Sequence, residues 1–235
     1  MKAIETRNLR KLYKSGEIQV EALNGVNLDV ESGDFVLVSG PSGSGKTTLL
    51  NLLGCLDRPT SGSIKIFGSD VSALSDDELS DLRLHTIGFV FQAYNLIPTL
   101  TAEENIEFPM VLSNKDRASR TRRARELLRL VDLEKRANNK PDQLSGGEQQ
   151  RIAVARALAN DPKMILADEP TGNLDSQSSG KVFELLRKVN DELGVTVVAV
   201  SHDLNFLRHC RRGVVIVDGR VVDDGPAAKW TGNHS

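Results

Sequence analysis

The chain has 235 residues, of which 39% are apolar and 26% are charged; this balance is typical of a folded globular domain and excludes a disordered chain. The 30 Lys and Arg residues nearly match the 32 Asp and Glu residues, which argues against a protein whose main activity is non-specific binding of nucleic acid. The two cysteines, Cys55 and Cys210, are too few and too far apart for a disulfide or metal-binding framework.

The first 91 residues carry mostly strand patterns. Strands are predicted over Ala3–Thr6, Gln19–Val30, Phe35–Ser39, Ser63–Phe67 and Ile87–Phe91. One helix is predicted over Lys46–Leu53, where Gly54 ends the helical pattern. We therefore expect this part of the chain to form β-structure around a single helix.

The character of the sequence changes between about residues 92 and 160. Leu96–Pro98 is typical of a loop, and the arginine-rich segment Ala118–Val131 predicts a helix with one apolar face. A further helix is predicted over Glu148–Ala159, directly after two glycines. This segment predicts a mainly helical lobe at about 92–160, inserted into a core made of residues 1–91 and 161–235, so that residues 1–235 form one domain.

Alternation of strands and helices returns after the lobe. Met164–Ala167 and the continuous apolar run Val195–Val200 predict buried strands, and Lys181–Leu193 predicts an amphipathic helix. Valine-rich segments on either side of Asp218-Gly219 predict a hairpin. Repeated strand–helix–strand units favour a doubly wound, mainly parallel sheet, whose ligands bind at the carboxyl ends of the strands.

The segment Gly40-Pro41-Ser42-Gly43-Ser44-Gly45-Lys46-Thr47 fits the phosphate-loop pattern at every fixed position. Its glycines allow backbone N–H groups to surround phosphate oxygens, and the following helix presents its positive end to the same anion. We expect Lys46 to contact the β- and γ-phosphates and the Thr47 hydroxyl to ligate Mg²⁺. With the next residue, Thr48, this segment is the predicted nucleotide-binding set. The pattern alone does not separate ATPases from kinases, GTPases and helicases.

Two acids, Asp168 and Glu169, follow the predicted strand Met164–Ala167. Adjacent carboxylates after a buried strand are costly unless they meet a cation or do chemistry. Asp168 is therefore predicted to contact Mg²⁺, and Glu169 to act as the general base that polarises the attacking water.

A second glycine-containing segment, Leu144-Ser145-Gly146-Gly147-Glu148, precedes a predicted helix and is also typical of an anion-binding helix start. The chain therefore carries two phosphate cradles. Either it has two separate sites, or the second cradle closes over ATP held by another copy of the protein.

Together these segments resemble the ATP-binding cassette (ABC) ATPases from about Ile4 to Asp224, and Leu144–Arg151 reads LSGGEQQR, the signature of that family. The resemblance implies an α/β fold: a phosphate-loop NTPase core with a mainly parallel sheet, an N-terminal antiparallel β subdomain and a helical signature subdomain. It also implies an ATP-dependent homodimer, in which two chains pair head to tail. ATP then lies between one phosphate loop and the Ser145, Gly146 and Gly147 of the other chain.

The resemblance implies roles for four further residues. Tyr13 matches the aromatic residue that stacks on adenine, and Gln92 matches the glutamine that senses Mg²⁺ and the γ-phosphate. Asp175 matches a loop that contacts the opposing subunit. His202 matches the histidine that holds the γ-phosphate and the attacking water, which makes Glu169, His202 and Lys46 the expected catalytic residues.

Within the family, Gly54–Gly62, Phe89–Gln92 and Asp168–Asp175 are similar to the ATPase subunits of macrolide-type exporters, lipoprotein-releasing complexes and cell-division complexes. Those subunits are homodimers docked on a separate integral-membrane permease or related membrane protein. Apolar residues in the predicted loop Ala93–Glu107 either contact such a partner or cover the helical lobe, and the sequence leaves both interpretations open.

The sequence therefore favours an ATP-hydrolysing motor subunit of a transporter, with no nucleic-acid partner. The alternative is a regulatory ATPase of the cell-division type that signals through a membrane partner without transporting a substrate. No stretch approaches the ~20 apolar residues needed to cross a bilayer, and the N-terminus has no apolar leader. We expect a cytoplasmic protein, bound to the inner face of the cell membrane through its partner.

Overall fold

The computed structural model describes residues 1–16 and 18–231. The strands are β1 (Lys2–Ser15), β2 (Ile18–Glu31), β3 (Phe35–Ser39), β4 (Ser61–Ile66), β5 (Ser69–Asp70), β6 (Ile87–Phe91), β7 (Met164–Asp168), β8 (Thr196–Val200), β9 (Arg212–Val217) and β10 (Arg220–Pro226). The α-helices are α1 (Lys46–Leu53), α2 (Asp76–Thr86), α3 (Ala102–Leu112), α4 (Arg117–Leu130), α5 (Gly146–Ala157), α6 (Ser176–Leu193) and α7 (Ala228–Thr231).

The strands form two sheets, as the resemblance implied. An antiparallel sheet has the order β2-β1-β4-β5, and a second sheet has the order β10-β9-β3-β8-β7-β6. In the second sheet, β3 pairs in parallel with β8 and β9, and β7 pairs in parallel with β6 and β8, whereas β10 is antiparallel to β9. Because these strands are parallel, the carboxyl ends of β3, β6, β7 and β8 lie at one edge of the sheet. Ligands bind at this edge in such folds.

Alternate residues of the parallel strands face two different cores, as the two-residue period of a strand requires. On one face, Leu37 and Val197 pack with apolar residues of α3, α4, α5 and α6. On the other face, Val36 and Val198 pack with α1 and the antiparallel sheet. Coverage of both faces explains why these strands are apolar throughout.

Three of the α-helices were not predicted: α2, α3 and the four-residue α7. The two longer ones, α2 and α3, each begin at a capping box. Ser75 caps α2 and exchanges hydrogen bonds with Glu78, and Thr101 caps α3 and exchanges hydrogen bonds with Glu104. The prediction of a loop over Ala93–Glu107 is therefore wrong beyond Thr101, because Thr101 caps a helix that begins at Ala102. Asp175 caps α6, which begins at Ser176 rather than at the predicted Lys181.

The residues before α3 form a loop that is fixed by a buried side chain. Asn105, on α3, accepts a hydrogen bond from the backbone N–H of Ile97 at 2.8 Å and donates to the carbonyl of Ile97 at 3.1 Å. Leu96 packs against the core that contains α3, α4 and α5. Among the described residues, no helix is both long and apolar enough to span a bilayer.

Candidate functional site

The phosphate loop lies between β3 and α1, and its shape depends on glycine. Gly40 and Gly45 have φ angles of 147° and 103°, and a Cβ atom at either position would lie 2.0 Å from the carbonyl oxygen of Ile216 or 2.3 Å from that of Ala22. No side chain caps the start of α1 at Gly45. No side-chain cap therefore competes with an anion for the first N–H groups of the helix.

The other predicted residues of the loop differ in exposure. Pro41, Ser42 and Gly43 are exposed, whereas Ser44 is buried. Lys46 is only 8% exposed, and its Nζ donates to the carbonyl oxygens of Gly40 and Pro41, both at 2.9 Å. The ammonium group is thus held against the backbone of the loop that would surround the phosphates.

Thr47 and Asp168 meet across the site, from α1 and the end of β7. The Thr47 hydroxyl donates to Asp168 Oδ1 at 3.3 Å. Burial raises the pKa of Asp168, as does the neighbouring Glu169 charge, while Thr47 and Lys46 act in the opposite direction. A hydroxyl and a partly buried carboxylate are oxygen ligands of the kind that Mg²⁺ takes, and a divalent cation would stabilise the charged carboxylate.

The described residues contain no cluster of three or more His, Cys, Asp or Glu side chains able to hold a metal ion by themselves. Protein sites for Mg²⁺ commonly use one or two side chains together with water and substrate phosphates. The pair Thr47 and Asp168 fits that pattern, so the two residues suit a metal that arrives with a nucleotide.

Glu169 and His202 form a hydrogen-bonded pair beyond the ends of β7 and β8. His202 Nδ1 lies 3.0 Å from Glu169 Oε2. Glu169 has a φ angle of 44°, and its N–H donates to the carbonyl of Val200 at 3.0 Å. A non-glycine residue in this conformation costs about 1–3 kcal/mol and is concentrated at functional sites. The turn therefore fixes the backbone from which the Glu169 carboxylate reaches His202.

Gln92 follows β6 and reaches the segment after Glu169. Its Nε2 donates to Asn173 Oδ1 at 3.3 Å, and Asn173 Nδ2 donates to the Gln92 carbonyl at 3.1 Å. A Cβ atom at Gly172 would lie 2.7 Å from Gln92 Nε2, so a side chain at this position would displace the Gln92 amide. Asn173 was not predicted as a site residue, because nothing local in the sequence indicates its partner.

The signature segment starts α5 with a capping box. Ser145 Oγ accepts from the Glu148 N–H at 3.3 Å, and Glu148 Oε2 accepts from the Ser145 N–H at 2.8 Å. The hydrogen bond from the Ser145 N–H is the largest cause of the lowered pKa of Glu148. Glu148 also accepts a hydrogen bond from Arg136 Nε at 3.0 Å. Glu148 was not predicted as a site residue, although its spacing from Ser145 is the capping-box signal.

The glycines of the signature lie beside the start of α6. A Cβ atom would lie 2.8 Å from the Tyr94 hydroxyl if placed at Gly146, and 3.0 Å from Ser178 Oγ if placed at Gly147. Asp175 caps α6 through the N–H and hydroxyl of the same Ser178, at 2.9 and 2.7 Å, and these bonds lower its pKa. Asp175 and the signature therefore share one surface, whereas the phosphate-loop glycines contact residues of other elements.

Tyr13 lies on β1, and its ring is partly exposed. Its hydroxyl donates to Asp57 Oδ2 at 2.9 Å, and Lys11 bonds to the same carboxylate at 2.6 Å. Partial burial and the bond to Asp57 raise the pKa of Tyr13, while a hydrogen bond with Thr48 of α1 acts in the opposite direction. Asp57 and Lys11 thus hold Tyr13 next to the phosphate-loop helix. Neither of these two residues was predicted as part of the site.

Comparison with known proteins places these features in one family. Residues 23–172 match the family model described as ABC transporter. The chain is 52% identical over 222 residues to an uncharacterized ABC transporter ATP-binding protein of Methanocaldococcus jannaschii, MJ0796, covering 93% of this chain and 94% of that protein. A solved structure of MJ0796, dimeric in a post-hydrolysis state bound to ADP and Pi, superposes with a TM-score of 0.88 at 48% identity over 95% of this chain and 98% of that chain.

Two relatives match the branch suggested by the motifs. The chain is 49% identical over 221 residues to LolD, the lipoprotein-releasing system ATP-binding protein of Geobacter metallireducens, covering 94% of this chain and 98% of LolD. It is 47% identical over 224 residues to MacB, the macrolide export ATP-binding/permease protein of Mannheimia succiniciproducens, covering 95% of this chain but 35% of MacB. The chain belongs to the ABC transporter family and is an ATP-binding, ATP-hydrolysing motor subunit of an ABC transporter.

Proposed function

We propose that this ATPase binds Mg·ATP at the loop Gly40–Thr47 and uses Glu169 as the general base for hydrolysis. The observation that carries the proposal is the convergence of Lys46, Thr47, Asp168 and Glu169 at one edge of the parallel sheet, joined by the bond from Thr47 to Asp168. This edge is where a doubly wound sheet places its ligand.

Each of these side chains has a separate role in the proposed reaction. Lys46 contacts the β- and γ-phosphates, and Thr47 and Asp168, with Gln92, hold Mg²⁺, which supplies positive charge to the phosphate oxygens. Glu169 accepts a proton from the attacking water as the new oxygen–phosphorus bond forms and the bond to the ADP oxygen breaks. Tyr13 stacks on the adenine ring.

His202 orients the base in this mechanism. With its proton on Nδ1, it donates to Glu169 Oε2 at 3.0 Å. The other carboxylate oxygen then remains available to accept the proton of the attacking water. A base fixed by a partner needs less reorganisation during the reaction.

We also propose that two copies pair head to tail around two ATP molecules. The phosphate loop contacts Ala22 and Ile216, whereas the signature glycines contact Tyr94 and Ser178, so the two cradles belong to different surfaces of the chain. This separation fits a second cradle that covers ATP on another copy, and the dimeric structure of the similar MJ0796 cassette bound to ADP and Pi supports this arrangement over two separate sites. In this proposal the lobe at about 92–160 moves as a unit against the core formed by residues 1–91 and 161–235.

The proposed membrane partner is an integral-membrane permease on a separate chain, which would hold this subunit at the inner face of the cell membrane. A groove of about 590 Å³ lies between α2, β6, α3 and α5. Phe108 and Leu112 line it and are 39% and 56% exposed. Exposed apolar side chains around a groove are typical of a protein contact. Leu96, in the segment first considered for this contact, packs against the core instead.

Substitution of Lys46 tests the nucleotide site. Lys46→Met keeps the buried aliphatic stem but removes the charge, so ATP affinity should fall about 10–100-fold, as expected for the loss of a charge-assisted hydrogen bond. Titration calorimetry with ATP and Mg²⁺ measures the change. Lys65→Met, on the exposed face of β4, is the matched control. Equal affinity in Lys46→Met and the wild type would contradict the assignment.

A further inference from the structure

Gln150 is a fully buried amide on α5, five residues after Ser145. Its Nε2 donates to the carbonyl oxygen of Pro170 at 2.5 Å and to that of Phe91 at 3.3 Å. Among the described residues its Oε1 has no hydrogen-bond partner. The two carbonyls fix the orientation of the amide, because the reverse orientation would place its oxygen against theirs.

The two acceptors adjoin the proposed catalytic side chains. Phe91 immediately precedes Gln92, and Pro170 immediately follows Glu169. Glu169 lies in a tight turn in which its carbonyl accepts the Gly172 N–H at 3.0 Å. A shift of either acceptor would therefore move Gln92 or the base itself, and one buried amide holds both turns against one helix.

Arg156, on the same helix, holds the other side of the Gln92 segment. Its guanidinium donates to the carbonyl of Tyr94 at 2.8 Å and to the carbonyl of Asn95. Backbone on both sides of Gln92 is thus bonded to α5. Displacement of this helix and displacement of the Gln92 segment are therefore coupled through a contiguous hydrogen-bonded network.

On the basis of the proposed head-to-tail dimer, we propose that Gln150 is a positioning residue that couples the two ATP sites. Ser145, at the start of α5, would contact ATP held by the partner chain. Movement of α5 would pass through Gln150 to the turns carrying Gln92 and Glu169, which act on the ATP of its own chain. Each site then becomes competent when the other is filled, and hydrolysis is cooperative.

Gln150→Met tests this role, because it keeps the length and buried stem of the side chain but removes the donor. We expect kcat to fall by as much as about 100-fold, the effect of displacing a catalytic group by about 1 Å, with little change in KM. The Hill coefficient for ATP, whose upper limit is the number of sites, should fall from about 2 to about 1. Steady-state ATPase rates over a range of ATP concentrations give all three quantities.

The matched control is Asn190→Leu. Asn190 is 4% exposed, and its Nδ2 also bridges two carbonyls, those of Gly33 at 2.9 Å and Val195 at 2.7 Å. These lie at the amino ends of β3 and β8, at the opposite edge of the sheet. Loss of this bridge should lower the melting temperature, but the Hill coefficient should be unchanged.

A cooperative wild type with an equally cooperative Gln150→Met variant would overturn the inference, and so would a wild type that hydrolyses ATP without cooperativity. Gln150→Asn keeps an amide too short to reach both carbonyls, and it should show the same loss if Gln150→Met does not fold. Failure of the proposed function looks different: the wild type would not hydrolyse ATP, or no ATP-dependent dimer would form, and the inference would fall with it.

Discussion

Glu169→Gln should lower the ATPase rate about 10²–10⁴-fold, the usual contribution of a general base, while ATP binding persists. An amide cannot accept the proton of the attacking water, but it can still accept a hydrogen bond from His202, which lies 3.0 Å from the present carboxylate. The turn at Glu169 is fixed by backbone hydrogen bonds to Val200 and Gly172, and these do not depend on the side chain. Phosphate release under saturating ATP measures the rate.

The control for this variant is Glu192→Gln, on the exposed end of α6. It makes the same chemical change away from the proposed site and should retain the wild-type rate. A Glu169→Gln protein as active as this control would show that another group is the base. The bond between Glu169 and His202 would then be structural only.

Ser145→Arg should block pairing of two chains while each chain still binds ATP. The substitution places a large cation at the start of α5, beside Gly146 and Gly147, where there is already little space next to Tyr94 and Ser178. The phosphate loop of the same chain contacts other residues, so its affinity for ATP should be unchanged. Light scattering with ATP, in the Glu169→Gln background, measures the dimer.

Loss of a helix cap by itself costs about 0.5–2 kcal/mol of stability, and this effect needs a separate control. Ser75 caps α2 with the same capping box that Ser145 makes at α5. Ser75→Arg should therefore lower stability by a similar amount but leave the ATP-dependent dimer intact. Dimers that form equally well with Ser145→Arg would contradict the head-to-tail arrangement.

Motifs with a local physical cause were predictable from the sequence. The phosphate loop, the strand before it and the helix after it were predicted with the observed bounds, Phe35–Ser39 and Lys46–Leu53. In each case the pattern lies within a few residues: glycines at fixed spacing, an apolar strand and a helical run. The edge at which Asp168 and Glu169 lie followed from the parallel sheet.

Helices and strands whose sequences lack a clear periodicity were not predicted or were predicted too short. In α2 only Leu79 is buried, so the helix has almost no apolar periodicity. Pro109 lies inside α3, and proline argues against a helix interior. In β1 the predicted strand stopped at Thr6, because Asn8, with a φ of 48°, lies at a register shift that breaks the alternation. These elements depend on tertiary packing and caps rather than on periodicity.

The residues that hold the predicted site residues in place could not be predicted, because the two members of each pair are distant in the chain. Asn173 meets Gln92, and Asp57 meets Tyr13, through contacts across 81 and 44 positions. A single sequence gives no signal for such pairs. The groove beside α3 is similar: it is formed by elements that are separate in sequence and adjacent only in the fold.

Gel filtration of Glu169→Gln protein, with and without Mg·ATP, tests the central claim most directly. The claim is that ATP held by one chain is covered by the signature of another. With hydrolysis stalled, the protein should elute at twice its chain mass of 25.7 kDa when ATP is present, and as a monomer without it. A protein that binds ATP tightly yet stays monomeric at every concentration would contradict the shared site.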